Sequence, residues 1–363
     1  MRSWLLLSSL CLALVSTPAS AQVIRQLLDA TGDGAGHGIQ GPRQMAFDAK
    51  GNIYVVGMMS DNVFRIRPSG KIDLLIDAAG DGRGHKLTRP NGIAVDPQGN
   101  VFVAGVESWN VFQITPEGKK VQIVDLTGDG AGNGVRRPSA LTLDRQGNLF
   151  VASANSNNVL KRTPSGKVTL VIGKDGAGVD QPLRRPIALA TDAQGNLYVA
   201  GAKTRNVFKI EPSGKKTQIV DGKGAGEGKA LLFPNSIAVD AQGNVFVGGN
   251  NSGNVLRIAP SGEIREVMGM RSVENEVELG GPTGVAVDSK GNAYVTRAGP
   301  YCLYRITPEG AITRILDQSG DNAGHRLDAV RAVAVDANDS VYVTGMISNN
   351  LMRYTPPAPK ATP

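Results

Sequence analysis

The stretch "RPNGIAVDPQGNVFVAG", residues 89–105, decides the fold, because the chain repeats nearly the same phrase seven times. The aspartate that closes the first half of the phrase recurs every 48 residues without slippage, at Asp48, Asp96, Asp144, Asp192, Asp240, Asp288 and Asp336. Strict self-similarity with a period of several tens of residues is typical of an array of equivalent structural units. The sequence therefore predicts a repeat protein.

Each copy of the repeat contains four short segments rich in the apolar, β-branched and aromatic residues that favour strands. In the second copy these segments read "NGIAVD", "NVFVAG", "NVFQIT" and "KVQIVD". The first pair is separated by Asp96-Pro97-Gln98-Gly99 and the second pair by "PEGK", and both separators are typical of tight turns. Four antiparallel strands per copy, with no helical periodicity between them, predict a β-propeller blade and disfavour helical solenoids.

The two ends of the chain predict how the blades are closed. The seventh copy stops after its third strand, "LMRYTP", whereas the segment "VIRQLLD" near the N-terminus ends at Asp29, in the phase of a fourth strand. We therefore predict an all-β, seven-bladed propeller in which the N-terminal strand completes the last blade. This arrangement pairs both chain ends and leaves no blade edge open.

Residues 1–21 have the three regions of a secretory signal peptide: Arg2, then an apolar run, then "ASA" before the expected cleavage site. This predicts a periplasmic or secreted protein, with one propeller over residues 22–356 and a Pro-rich tail over residues 357–363. No later segment approaches the length of a transmembrane helix. Removal of the signal peptide leaves Cys302 as the only cysteine, so no intramolecular disulfide is expected.

The charge balance favours anionic partners. The chain carries 39 Lys and Arg against 32 Asp and Glu, a net charge of +7 that becomes +6 when Arg2 leaves with the signal peptide. A modest positive excess attracts acidic glycans and similar ligands. The positive residues are scattered and no helix-turn-helix, zinc-finger or ribonucleoprotein motif is present, so nucleic-acid binding is not expected. We expect a monomer that binds a small molecule, a glycan or a protein.

The recurring pattern of Pro, "IAVDxxGNxYV", "NVFxI" and "PSGK" resembles the NHL repeat over essentially the whole mature chain. The stretch "RPNGIAVDPQG" is also similar to part of the gluconolactonase and regucalcin-like propellers. That resemblance implies a divalent metal held by the asparagine of the Pro-Asn-Gly motif, which corresponds to Asn91 and, with a less similar motif, to Asn235. Streptogramin lyases are seven-bladed propellers as well, and the resemblance implies a lyase as one class of activity.

Most of the repeated polar and cyclic residues have a structural explanation. The seven turn aspartates precede tight turns, six of which contain glycine, and a carboxylate there accepts local backbone N–H bonds. Prolines recur just before the first strand of six copies, where their fixed φ sets the entry of the chain, at Pro42, Pro90, Pro138, Pro186, Pro234 and Pro282. Functional residues are therefore expected where the copies differ.

The copies differ most in two loops, before the first strand and between the second and third strands, and both loops are expected on one face. Loops on a rigid scaffold commonly carry binding residues, so this face and the mouth of the central channel form the predicted site. Its candidate binding residues in the second of these loops are Asp61, Glu107, Trp109, Lys203, Arg205 and Tyr301. A basic arc is predicted from Arg136, Arg137, Arg184, Arg185, Lys203, Arg205, Lys223 and Lys229. An ordinary solvated surface is the alternative interpretation of these charges.

The sixth copy departs furthest from the template. Arg297 replaces a Gly or Ser found in the other copies, Cys302 replaces Asn, and the preceding loop contains Glu274, Glu276 and Glu278. Arg297 and Tyr301 are candidates for orienting an anionic ligand, and drift within the array is the alternative. Cys302 is not expected to be a nucleophile, because all three histidines lie in other loops.

The three histidines occupy equivalent positions in neighbouring copies. His37, His85 and His325 each follow an aspartate by four residues, namely Asp33, Asp81 and Asp321. Convergent imidazoles or carboxylates would suit Zn²⁺, Ca²⁺ or Mg²⁺. The alternative is an inherited loop, since the third copy has Asn133 at the histidine position. Two functions thus remain open: an exported binding propeller, and a metal-dependent lyase or hydrolase at the channel mouth.

Overall fold

The computed structural model describes residues 23–270 and 280–357, and these residues form seven four-stranded antiparallel sheets. The strands of the first four repeats, preceded by the N-terminal strand, are β1 (Val23–Leu28), β2 (Pro42–Phe47), β3 (Ile53–Gly57), β4 (Asn62–Ile66), β5 (Ile72–Ile76), β6 (Pro90–Val95), β7 (Val101–Gly105), β8 (Asn110–Ile114), β9 (Lys120–Val124), β10 (Pro138–Leu143), β11 (Leu149–Ser153), β12 (Asn158–Arg162), β13 (Val168–Ile172), β14 (Pro186–Thr191), β15 (Leu197–Gly201), β16 (Asn206–Ile210) and β17 (Lys216–Val220). The remaining strands are β18 (Pro234–Val239), β19 (Val245–Gly249), β20 (Asn254–Ile258), β21 (Ile264–Met268), β22 (Pro282–Val287), β23 (Ala293–Arg297), β24 (Cys302–Ile306), β25 (Ile312–Leu316), β26 (Val330–Val335), β27 (Val341–Gly345) and β28 (Asn350–Thr355).

Each sheet is one propeller blade, and in blades one to six the strands follow chain order from the inner to the outer edge. Blade one is β2 to β5, and the next five blades repeat this arrangement. Six of the seven inner strands begin at the prolines identified in the sequence. The turn aspartates have the expected structural role: Asp48 Oδ1, for example, accepts backbone N–H bonds from Lys50 and Asn52 at 2.9 Å. The predicted all-β, seven-bladed propeller is confirmed.

Blade seven closes the ring by strand exchange between the two ends of the chain. Its sheet has the order β1, β28, β27, β26, and β1 runs antiparallel to β28 with Val23 opposite Thr355. Leu28 is buried in the cluster that joins blades seven and one. The N-terminal strand therefore supplies the outer strand of the last blade, as the phase of "VIRQLLD" predicts.

The hydrophobic core lies between the blades. The buried residues of the described ranges form seven clusters, and each cluster draws on neighbouring sheets. One of them packs Phe150 and Val159 of blade three against Leu183 and Phe208 of blade four. The second strand of each blade is buried over its whole length, because both of its faces contact another sheet. Burial of apolar surface between sheets thus makes the ring a rigid scaffold.

Blade six differs from the other blades at the last residue of its second strand, Arg297, and at the first residue of its third strand, Cys302. In the other blades an asparagine begins this strand, and its side chain donates to a backbone carbonyl 24 residues upstream, as Asn110 does to Lys86 at 3.0 Å. Cys302 stands in that place and is buried in the core. Arg297 instead donates to the carbonyls of Gly280 at 2.9 Å and Gly253 at 2.8 Å. Arg297 therefore links the loops of blades five and six by hydrogen bonds.

The predicted signal peptide, the tail beyond Pro357 and the glutamates Glu274, Glu276 and Glu278 lie outside the described residues. Within the described ranges, no helix has the length and apolar character needed to cross a membrane.

Candidate functional site

The second residue of each inner strand faces the central channel. These seven positions are spaced by 48 residues and all line one cavity of about 410 Å³: Arg43, Asn91, Ser139, Ile187, Asn235, Thr283 and Arg331. Further residues of the inner strands, such as Met45, Leu141 and Val333, complete the lining. Two of the seven equivalent positions are occupied by arginine.

Arg43 and Arg331 belong to the adjacent blades one and seven, and both guanidinium groups lie in the channel wall. The Nε of each is buried and has no hydrogen-bond partner, and neither side chain forms an ion pair with a described residue. Burial lowers the pKa of Arg43 to about 10, and the positive charges of Arg331 and Arg89 act in the same direction. Arg43 remains charged at neutral pH, and the described channel lining contains no carboxylate to neutralise it.

A second cavity, of about 880 Å³, forms the mouth of the channel on the side of blades one to four. It shares Arg43, Asn91, Ser139, Arg185 and Ile187 with the channel, so the two cavities are continuous. The basic side chains that line the mouth are Arg43, Arg89, Arg136, Arg137, Arg185 and Lys203. The described lining has one carboxylate, Glu107, which pairs with Arg89 at 3.2 Å. The mouth therefore has a large excess of positive charge.

The rim arginines are held by an unusual backbone. The residue before the inner-strand proline has positive φ in several copies, including Arg89 at 47°, Arg137 at 54° and Arg185 at 55°. A residue before proline ordinarily has an extended backbone, and positive φ is unfavourable for residues with a Cβ. The loop of the preceding blade stabilises this conformation: Asp61 Oδ1 accepts the Arg89 N–H at 2.6 Å, and Asn157 Oδ1 accepts the Arg185 N–H at 2.9 Å.

Two aromatic residues lie beside these cations. The Arg136 guanidinium is 5.8 Å from the centroid of the Trp109 ring, and the Arg185 guanidinium is 5.1 Å from the centroid of the Phe233 ring. Both distances are within the range of a cation–π interaction. Trp109 keeps 38% of its surface exposed and lines the mouth. The mouth thus offers an apolar ring surface among positive charges.

The structure brings together part of the predicted binding set. Asn91, Glu107, Trp109 and Lys203 line the mouth, together with Arg136, Arg137 and Arg185 of the predicted basic arc. Asn91 and Asn235 line the channel, where the Nδ2 of each donates to a backbone carbonyl of the next blade, at 2.6 Å and 3.0 Å. The two variable loops meet on one face, since the Glu107 N–H donates to the Thr88 carbonyl at 3.2 Å.

Other predicted residues lie apart from these cavities. Arg297 is fully buried and bonded to backbone carbonyls, so its guanidinium is inside the ring wall and not on the loop face. Tyr301 packs against the core cluster between blades six and seven. Asp61 holds the backbone of Arg89. The members of the predicted basic arc that line neither the channel nor the mouth are Arg184, Arg205, Lys223 and Lys229.

Each histidine is bonded to its own loop aspartate. The Nδ1 atoms of His37, His85 and His325 lie 2.7, 2.7 and 2.6 Å from the Oδ2 atoms of Asp33, Asp81 and Asp321. In the third copy, Asn133 Nδ2 donates to Asp129 Oδ2 at the same 2.7 Å. Histidine and asparagine therefore close the same turn. Burial acts to raise the pKa of Asp81, but hydrogen bonds led by that of His85 outweigh it and lower the pKa.

The residues in the channel do not fit a divalent metal. Within residues 23–270 and 280–357, no three His, Cys, Asp or Glu side chains are grouped to hold an ion. Asn91 and Asn235 face a channel whose described lining includes Arg43, Arg185 and Arg331 and lacks carboxylates. Ca²⁺ and Mg²⁺ are held by oxygen ligands, usually including carboxylates, and nearby guanidinium groups repel them. An anion fits this set of side chains.

Sequence reasoning did not find Arg43, Arg89, Arg331 or Phe233. The signal was nevertheless present in the 48-residue alignment of the copies. Arg43 and Arg331 are the charged members of a column that is otherwise polar or apolar, and this column lies within the inner strand and not in a loop.

Comparisons with known proteins agree with the fold. A family model described as the SBBP β-propeller repeat matches residues 82–106 and 225–257. No curated protein sequence matches the chain.

Solved structures of similar fold include two enzymes and a protein from a two-protein complex. The virginiamycin B lyase of Staphylococcus aureus is 15% identical, with a TM-score of 0.70 over 93% of this chain and 100% of that chain. A gluconolactonase of Xanthomonas campestris is 17% identical, with a TM-score of 0.54 over 94% and 91%. A chain of a nidogen–laminin complex is 14% identical, with a TM-score of 0.52 over 70% and 90%. At these identities the likeness shows the propeller fold alone, which serves both catalysis and binding.

Proposed function

We propose that this protein is an exported binding propeller that captures an anionic ligand in the channel and its mouth. The observation that carries the proposal is the pair Arg43 and Arg331, which share the channel wall with no carboxylate beside them among the described residues. Each presents a buried Nε without a hydrogen-bond partner. Both side chains are only partly buried and line the channel, so their guanidinium groups can donate to a carboxylate, sulfate or phosphate group of a ligand there.

The surrounding charges support the same ligand class. Arg89, Arg137 and Arg185 are fixed on the rim, and Lys203 adds a further positive charge at the mouth. Cations that converge on a concave surface attract an anion and accelerate its capture, and the effect falls with salt concentration. Because the scaffold is a closed ring, little ordering of the backbone is needed on binding.

Isothermal titration calorimetry at low ionic strength tests the proposal with citrate and D-glucuronate as probes. We expect the double variant Arg43→Gln/Arg331→Gln to bind each probe at least tenfold more weakly than the parent. The matched control, Arg145→Gln/Arg265→Gln, removes the same charge from exposed positions that line neither cavity, and it should bind like the parent. Equal weakening in both variants, or no binding by the parent, would overturn the proposal.

The resemblance of the repeats to the NHL type is part of the same proposal, as is export by the N-terminal signal segment. Cell fractionation of the full chain and of a chain lacking residues 1–21 tests export. The full chain is expected in the periplasm or the medium, and the shortened chain in the cytoplasm.

The alternative function is a metal-dependent hydrolase. Turnover of a lactone by the purified protein only after addition of Mg²⁺ or Ca²⁺ would favour that function instead.

A further inference from the structure

Trp109 lies in the loop between the second and third strands of blade two, at a place where the backbone has positive φ. In five other copies the residue at this place also has positive φ. Asp61, Asn157, Gly253 and Asn349 tolerate a left-handed backbone, whereas Arg205, like Trp109 with φ 54°, is bulky. Arg205 lines neither cavity, so Trp109 is distinguished by its place in the lining of the mouth. The ring is not a core residue, since 38% of its surface is exposed at the mouth.

The neighbours of Trp109 have the chemistry of a sugar-binding surface. Asn155 and Asn157 line the same mouth and carry amide groups suited to hydroxyl groups. Arg136 and Arg137 supply charge beside the ring. A flat apolar ring, side-chain amides and guanidinium groups together match a sugar ring that carries hydroxyl groups and an acidic substituent. A flexible inorganic polyanion would use only the cations.

The size and continuity of the two cavities indicate more than one sugar unit. The mouth encloses about 880 Å³ and the channel about 410 Å³, and they share the wall formed by Asn91, Ser139 and Arg185. Pockets of roughly 300–1,000 Å³ hold ligands of the size of common drugs. A ligand that contacts both Trp109 and the pair Arg43 and Arg331 would occupy both cavities, with acidic groups beside the cations that line them.

We infer that the ligand is an acidic oligosaccharide of uronic-acid type, with one sugar ring stacked on Trp109 and an acidic unit held between Arg43 and Arg331. This inference rests on the proposed function and specifies the ligand class of the same site. Trp109 is then a specificity-determining residue for carbohydrate, whereas the channel arginines serve any small anion.

Trp109 also provides the readout, because the only other tryptophan of the chain is Trp4, inside the predicted signal peptide. Titration of the mature protein with trigalacturonate is expected to shift and quench the tryptophan emission. Maltotriose, which is a neutral oligosaccharide, should leave the emission unchanged at the same concentration. An unchanged spectrum at saturating trigalacturonate, with binding established by calorimetry, would overturn the stacking.

Calorimetry on variants separates this inference from the proposed function. Trp109→Asn introduces the residue that the third and seventh copies have, so the turn is expected to fold normally, and Trp109→Phe retains an aromatic ring. We expect Trp109→Asn to bind trigalacturonate at least tenfold more weakly than the parent and D-glucuronate within twofold of the parent. We expect Trp109→Phe to recover most of the affinity for trigalacturonate.

If Trp109→Asn binds trigalacturonate like the parent while Arg43→Gln/Arg331→Gln does not, the anion site stands and the carbohydrate inference fails. If tripolyphosphate binds as tightly as trigalacturonate, the site selects charge alone and the inference also fails. If neither D-glucuronate nor trigalacturonate binds the parent, both proposals fail.

Discussion

Asn349 Oδ1 accepts a hydrogen bond of 2.9 Å from the backbone N–H of Gly41, across the seam where the last blade meets the first. Equivalent bonds occur at other blade boundaries, where Asp61 Oδ1 accepts from the Arg89 N–H and Asn157 Oδ1 accepts from the Arg185 N–H. Each acceptor residue has positive φ, between 51° and 55°. The seam between blades seven and one therefore has the same type of contact as the boundaries that hold the rim arginines Arg89 and Arg185.

The first prediction concerns this seam. Asn349→Gly keeps a residue that adopts positive φ easily but removes the acceptor, so we expect a loss of about 1 kcal/mol in the free energy of unfolding. Asn349→Ala also loses the acceptor but keeps a Cβ at positive φ, so it should cost about 1–2 kcal/mol more than Asn349→Gly. Urea unfolding measures both, with Ile347→Ala, an exposed residue of the same loop, as the control. Stability of Asn349→Gly equal to that of the parent would show that the bond contributes nothing.

The closing strand gives a second prediction. Deletion of residues 22–29 removes β1 and leaves β28 as an unpaired edge, which favours aggregation. Since ordinary domains have a total stability of about 5–15 kcal/mol, we expect a loss of several kcal/mol. Thermal melting and light scattering follow the change. Leu28→Asp, at a buried position, should reproduce part of the loss, whereas Val23→Asp, at an exposed position of the same strand, should not. A deletion variant that melts at the parent temperature would contradict the role of β1.

Arg297 provides a third prediction, which separates a structural role from ligand binding. Arg297→Met removes the donors to the Gly280 and Gly253 carbonyls, and unsatisfied buried groups cost roughly 1–3 kcal/mol each. We expect a melting temperature lowered by several degrees and unchanged affinity for citrate in the protein that remains folded. A variant with normal stability that no longer binds citrate would show that Arg297 contributes to ligand binding.

The histidine loops give a fourth prediction. His85→Asn should leave the melting temperature unchanged, because Asn133 makes the equivalent bond to its aspartate. His85→Ala loses that bond and should be slightly less stable. We also expect the same melting curve with a chelator and with added Zn²⁺, since each histidine is bonded within its own loop. A Zn²⁺-dependent rise in melting temperature that His37→Ala or His325→Ala abolishes would instead favour a shared metal site.

A fifth prediction uses the pH dependence of a turn aspartate. Burial acts to raise the pKa of Asp48, but hydrogen bonds from Asn52, Tyr54 and Lys50 outweigh it and hold the pKa below the ordinary 3.8. Because the folded pKa is below the unfolded one, the carboxylate stabilises the protein above pH 3.8, and this contribution is lost as the pH falls through the folded pKa. Asp48→Asn should therefore be less stable than the parent at pH 6, with a smaller difference near pH 3. Glu227→Gln, an exposed position, is the control. A constant difference across this range would refute the assignment.

The fold could be predicted from the sequence because its determinants are local and repeated. The turn aspartates and the entry prolines mark every blade, and the phase of Asp29 predicts the exchanged strand. Only part of the candidate site could be predicted from the sequence. Trp109 and Lys203 were identified by their loop, but the loop does not reveal whether a side chain points outward, and Arg297 points into the wall. Arg43 and Arg331 depend on strand register and on ring closure, which places copies one and seven side by side.

The pairing of Val23 with Thr355 also constrains how the chain is made. During synthesis, β1 stays unpaired until the seventh repeat has been made, because its partner β28 is the last strand in the order of the chain. Gln26 accepts from Asn350 as Gln122 does from Asn110 within blade two, so the features that mark the correct partner recur along the ring. At high concentration, the first strand of one nascent molecule could complete the last blade of another, and domain-swapped dimers or longer chains would be the expected by-products of crowded synthesis.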